Sequence, residues 1–147
     1  MSSAVTCLGH RDRGDDAVGP LVAERLRERG IAVLDCQEEP TRLLDAMVGL
    51  DLLVIVDAVR SGGPPGTLVR IEARDEPLPA DLGFASTHAF GIAEALELAR
   101  ALDRAPAWVV VHGVAGERFG MGDEPTPAVV AALDPLVERV VIDLGQG

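Results

Sequence analysis

Apolar and polar positions alternate along this chain between two periods, and the switching sets out its elements. Ala4 to Leu8 is a short apolar run that predicts a first strand. After a polar loop, Val18, Leu21, Val22 and Leu26 recur at helical spacing. That helix is expected to start at Asp15 or Asp16 as N-cap, to tolerate Pro20 in its first turn, and to stop near Arg29 before Gly30. Ile31 to Leu34 reads as a second strand, and Leu43, Leu44, Met47 and Val48 mark a short helix after Pro40. Leu52 to Val56 is unbroken apolar sequence, as in a central strand buried on both faces, and is expected to end at Asp57. The turn Ser61-Gly62-Gly63-Pro64-Pro65-Gly66 leads into Thr67 to Ile71, a strand reached too quickly for a crossover and therefore antiparallel and near an edge. Beyond a Pro- and Asp-rich loop, Ser86 or Thr87 is expected to cap a helix reaching about Leu102. Trp108 to Val111 is the next strand, with His112 and Gly113 at its end, and a helix from Pro127 to about Val141 closes the pattern.

This β-α-β-α-β opening predicts a three-layer α/β/α sandwich. Its sheet is twisted and mostly parallel, with about five strands, one of them antiparallel. The length, 147 residues, suits a single domain over the whole chain. Aromatic residues are only 3%, so Val, Leu, Ile and Ala must fill the core. A formal net charge of −11 argues against nucleic acid and against anionic membrane surfaces as partners. No apolar run is long enough to cross a bilayer, and no signal peptide is evident. Cys7 and Cys36 lack CxxC spacing and read as buried, reduced thiols of a cytoplasmic protein. No heptad pattern points to a coiled-coil dimer, and a monomer is expected.

The first strand-to-helix loop carries the most chemical information. Gly9 to Gly14 has the spacing of a phosphate-binding loop, but Asp15 and Asp16 stand where Lys and Ser/Thr belong. Two carboxylates repel phosphate and attract a positive centre, with metal the first candidate. Strands one and three are parallel in this scheme, so Asp16 and Asp57 fall at one sheet edge, where ligand sites of such folds are built. His88, before an apolar helix, is expected at the same edge. Asp, Asp and His suit nickel or zinc as well as harder ions. Each residue also has a plain structural reading: Asp16 as a helix-terminal acid, Asp57 as a turn cap, His88 as a cap residue. His10, His112, Glu38 and Glu39 are further candidates along this edge, each equally explicable as loop or core. There is no Gly-x-Ser-x-Gly elbow and no dinucleotide-binding glycine pattern.

Three blocks, in order, resemble the nickel–iron hydrogenase maturation endopeptidases. They are Gly14-Asp15-Asp16-Ala17-Val18-Gly19-Pro20, then Val54-Ile55-Val56-Asp57-Ala58-Val59 with Gly63-Pro64-Pro65-Gly66-Thr67, and Ser86-Thr87-His88-Ala89-Phe90-Gly91-Ile92-Ala93-Glu94-Ala95-Leu96. The resemblance implies an aspartyl-type endopeptidase that removes the C-terminal extension of a hydrogenase large-subunit precursor once nickel is inserted. It implies that Asp16, Asp57 and His88 contact the metal and carry the cleavage. Nickel would arrive in the precursor, with no permanent cofactor, and the partner would be the nickel-loaded precursor. Two loops depart from the family pattern: Cys7-Leu8-Gly9-His10 followed by Arg11-Asp12-Arg13, and Asp35-Cys36-Gln37-Glu38-Glu39-Pro40. They motivate a second reading, a nickel-dependent binding or chaperone module without proteolysis. A third reading is a free-standing metallohydrolase of the same fold.

Overall fold

The computed structural model describes residues 2–35, 41–60, 63–78 and 88–145, with the backbone alone for residue 41 and residues 88–93. Four strands form one sheet: β1 (Ser3–Cys7), β2 (Leu52–Val59), β3 (Leu68–Arg74) and β4 (Trp108–Ala115). Their order is β1-β2-β4-β3. β1, β2 and β4 run parallel, and β3 is antiparallel to β4 at the edge, as its short connection from β2 requires. The helices are α1 (Val18–Glu28), α2 (Thr41–Met47), α3 (His88–Ala101) and α4 (Pro127–Asp143).

The sheet parts two apolar layers. Leu52, Val54, Val56 and Ala58 of β2 pack with Val22 and Leu26 of α1 and Leu133, Val137 and Val140 of α4. Leu53 and Ile55 point the other way, into Leu43 and Met47 of α2 and Leu96 and Ala99 of α3. This is the three-layer α/β/α arrangement, and β2, buried along its entire length, is its spine. The period-two alternation puts Asp57 on the same side as Leu53 and Ile55, toward the α2–α3 layer.

Three boundaries differ from expectation, each for a physical reason. β2 does not end at Asp57 but continues to Val59, because Asp57, Ala58 and Val59 pair with Gly113, Val114 and Ala115. β4 likewise runs through His112 and Gly113 to Ala115, so neither lies at a strand end. Ile31 to Leu34 is not a strand. The Ile31 N–H is spent on the Leu26 carbonyl at the end of α1 (3.0 Å), and only Leu34 bridges the sheet, opposite Thr6. None of these four residues is fully buried, so little drives them to extend the sheet. The sheet therefore has four strands among the described residues rather than five. The expected capping by Ser86 or Thr87 lies outside the described residues.

Candidate active site

The parallel register brings the chain after β1 to the C-terminal end of β2. Cys7 pairs with Val56, and the Leu8 N–H donates to the Val56 carbonyl (2.8 Å), setting Leu8 beside Asp57. Gly9 then turns with φ +126, a left-handed value that favours glycine. A Cβ there would stand 2.0 Å from the Asp16 carbonyl oxygen and 3.3 Å from Asp16 Oδ1. The Asp16 carboxylate is thus folded back over Gly9, one residue from the neighbour of Asp57. The His10 N–H donates to the Asp16 carbonyl (3.0 Å) and the Asp16 N–H to the Arg13 carbonyl (3.0 Å), closing the loop.

Asp16 and Asp57 come to the same sheet end. Asp57 is fully buried, and its Oδ1 accepts the Ala58 N–H at 2.9 Å. Asp16 is 5% exposed, and its Oδ1 has no hydrogen-bond partner among the described residues. An unsatisfied buried carboxylate oxygen is costly, and such groups concentrate where function needs them. Burial raises the Asp16 carboxyl above its ordinary value, against the opposing pull of the His10 N–H and the positive charges of His10, Arg13 and Arg60. His88 opens α3, and its side chain lies outside the described residues. Among the described residues, no group of three or more His, Cys, Asp or Glu side chains is arranged to hold a metal ion.

Asp15 has the opposite environment. It is fully buried and accepts four hydrogen bonds from the loop between β4 and α4. The Glu117 and Arg118 N–H groups reach Oδ2 at 2.8 and 3.0 Å, the Thr126 hydroxyl reaches Oδ2 at 2.7 Å, and the Thr126 N–H reaches Oδ1 at 2.6 Å. Burial alone would raise this carboxyl, but the four donors outweigh it and hold it below the usual range. Neither aspartate caps α1: a 3-10 turn, Gly14–Ala17, precedes the helix, and no side-chain cap is made. The sequence pattern singles out Asp16 for the site and leaves Asp15 only as a neighbouring acid or an N-cap. The signal that separates them is the distant Gly116-to-Thr126 loop, which pattern analysis does not connect to residue 15.

The remaining candidates fall elsewhere. His10 adjoins the site through its backbone, whereas Glu38 and Glu39 lie outside the described residues. His112 does not line the site edge. Its parity matches Val110 and Val114, so it faces the α1–α4 layer, where its Nε2 meets Asp143 Oδ2 at 2.5 Å. Cys7 is a free buried thiol pushed up to about 12 by desolvation, as a reduced core residue should be, and Cys36 lies outside the described residues.

A family model described as hydrogenase maturation protease matches residues 18–142, which includes Asp57 and His88 and begins just after Asp16. The chain is 32% identical over 137 residues to the hydrogenase 2 maturation protease of Escherichia coli K12, covering 88% of this chain and 82% of that protein. Among solved structures, the hydrogenase maturating endopeptidase HybD from E. coli superposes with a TM-score of 0.84 at 27% identity, covering 99% of this chain and 93% of that one. The [NiFe] hydrogenase maturation protease HybD from Thermococcus kodakarensis gives 0.79 at 28% identity, covering 98% and 99%. With this fold and these matches, the chain belongs to the hydrogenase maturation protease family, and so to the hydrolases that cleave peptide bonds.

Proposed function

We propose that this protein is the endopeptidase that removes the C-terminal extension of a nickel–iron hydrogenase large-subunit precursor after nickel insertion. The observation that carries this reading is the Asp16 carboxylate, buried, with one oxygen that has no partner among the described residues, at the sheet end where Asp57 is also buried. A protein keeps such a costly group for a ligand that arrives later. In this reading the ligand is nickel already seated in the precursor. Asp16, Asp57 and His88 engage it from one side while the precursor's own ligands hold it from the other. Three ligands of this kind suit a shared ion that reports completed assembly. The enzyme then needs no resident metal, and cleavage becomes a checkpoint on nickel insertion.

Cleavage proceeds by attack of water on the scissile carbonyl. No serine or cysteine nucleophile stands beside Asp16 and Asp57 among the described residues, since Cys7 is buried on the α1–α4 side and pushed up to about 12. Burial moves the Asp16 carboxyl toward the working pH, which favours a carboxylate as general base. We place the enzyme in the cytoplasm as a monomer. No helix among the described residues is long and apolar enough to cross a membrane. The test is intact mass spectrometry of a nickel-loaded precursor incubated with the wild type and with a folded Asp57→Asn variant. The expected result is a single C-terminal loss with the wild type and none with the variant. Full processing by Asp57→Asn would remove Asp57 from the mechanism.

A further inference from the structure

The four hydrogen bonds gathered on Asp15 come from one distant loop, which is thereby bound to the turn that also carries Asp16. We propose that Asp15 is a positioning residue for cleavage: it ties the Gly116-to-Thr126 loop to the 3-10 turn and thereby fixes where the Asp16 carboxylate stands. This inference rests on the reading of Asp16 as a working group of the protease.

The tie is reciprocal. While Asp15 accepts from Glu117, Arg118 and Thr126, its own N–H donates to the Arg118 carbonyl (2.6 Å). Beside it, Gly14 N–H donates to the Asp123 carbonyl (2.9 Å) and Gly122 N–H to the Asp12 carbonyl (2.7 Å). The surfaces also touch with no slack: a Cβ on Gly116 would lie 2.6 Å from Asp15 Cβ and 3.0 Å from Phe119 Cζ.

Thr126 shows that the tie takes precedence over helix capping. It occupies the N-cap of α4, where a threonine hydroxyl ordinarily accepts from its own helix. Here it makes no such cap and instead donates to Asp15. The loop has a second effect on the site. Its Phe119 supports the Arg60 guanidinium, 4.4 Å from the ring centre, and Arg60 follows directly on β2 three residues after Asp57. One carboxylate thus holds both the peptide that carries Asp16 and the wall that holds a cation near it.

The experiment uses Asp15→Asn, which places an amide among N–H donors, together with Thr126→Val and Thr126→Ser. Should Asp15→Asn fail to fold, Thr126→Val removes a single donor at nearly constant shape. Kinetics on nickel-loaded precursor are measured well below each melting temperature, so that all enzyme is folded. Thr126→Val is expected to lower kcat at least about tenfold with KM changed less than roughly threefold, and Thr126→Ser to stay within about twofold of wild type, as for a misplaced rather than a missing group. Amide hydrogen exchange provides a readout independent of activity: the His10 amide, which bonds the Asp16 carbonyl, should exchange faster in Thr126→Val and at the wild-type rate in Thr126→Ser. Wild-type kcat and His10 exchange in folded Thr126→Val overturn the inference, as does an equal loss in Thr126→Ser. If the wild type itself leaves the precursor uncut, the protease reading fails, and the exchange comparison still decides whether Asp15 fixes the turn.

Discussion

Asp15 and Asp16 are adjacent, chemically identical and both buried, yet their surroundings drive them apart. Asp15 accepts four hydrogen bonds and is held ionised, whereas Asp16 has an oxygen with no partner among the described residues and burial pushes it toward the neutral form. Their amide variants should therefore shift stability in opposite directions at pH 7. Asp16→Asn, which removes a penalised charge, is expected to leave stability unchanged or raise it by about 1 kcal/mol while abolishing cleavage. Asp15→Asn sets an amide against N–H donors and is expected to lose roughly 2–3 kcal/mol. The pH dependences follow the same signs. The Asp15 contribution is present above its unfolded value of 3.8 and is lost as pH falls through the lower folded value, whereas the penalty on Asp16 is relieved as pH falls. Thermal melts of the wild type and both variants from about pH 2 to 8 check this. The acidic pair was legible in the sequence because it interrupts a phosphate-loop spacing. The division of labour was not, because it is made by residues more than a hundred positions away.

Elements were legible where burial alone decides them. The apolar run of β2 announced a central strand, and the short Gly- and Pro-rich connection announced antiparallel β3. Pattern failed where pairing or packing overrode it: Asp57 sits inside β2 because its partner strand continues, and Ile31 to Leu34 stays out of the sheet because α1 takes its first N–H. Close approach of elements is equally hidden from pattern. Gly19 of α1 lies against β1's continuation so tightly that a Cβ would stand 1.7 Å from the Leu8 carbonyl oxygen. Gly19→Ala must displace backbone and is expected to cost at least about 3 kcal/mol in denaturant unfolding.

The end of α4 supplies a pH prediction. Asp143 accepts Arg70 Nε (3.1 Å) and Nη2 (3.0 Å) as well as meeting His112, so its charge is already matched by the guanidinium. Burial holds His112 below its ordinary 6.5, and the nearby Arg70 and Arg139 charges add to that, against Asp143. A histidine kept neutral in the fold takes up its proton more readily when unfolded. Stability is therefore expected to fall as pH drops from about 6.5 toward the lower folded value, and the slope in that window should flatten in His112→Gln. An unchanged slope in the variant would show that His112 does not set it.

At the scale of the molecule, two sequence blocks far apart in the chain become parts of one sheet end and bring Asp16 and Asp57 together there. The third block contributes α3, which begins at His88 and whose Leu96 and Ala99 pack in the layer toward which Asp57 faces. That convergence was legible because parallel strands align their C-terminal ends. On it rests the proposal that this protease reads nickel in its substrate before it cuts. The most direct measurement is intact mass spectrometry of one hydrogenase large-subunit precursor, prepared nickel-loaded and nickel-free, after incubation with this protein. A single C-terminal loss in the nickel-loaded sample and an uncut nickel-free precursor are expected. Equal cleavage of both would contradict the proposal, leaving a protease whose buried carboxylates serve the peptide bond without inspecting the metal.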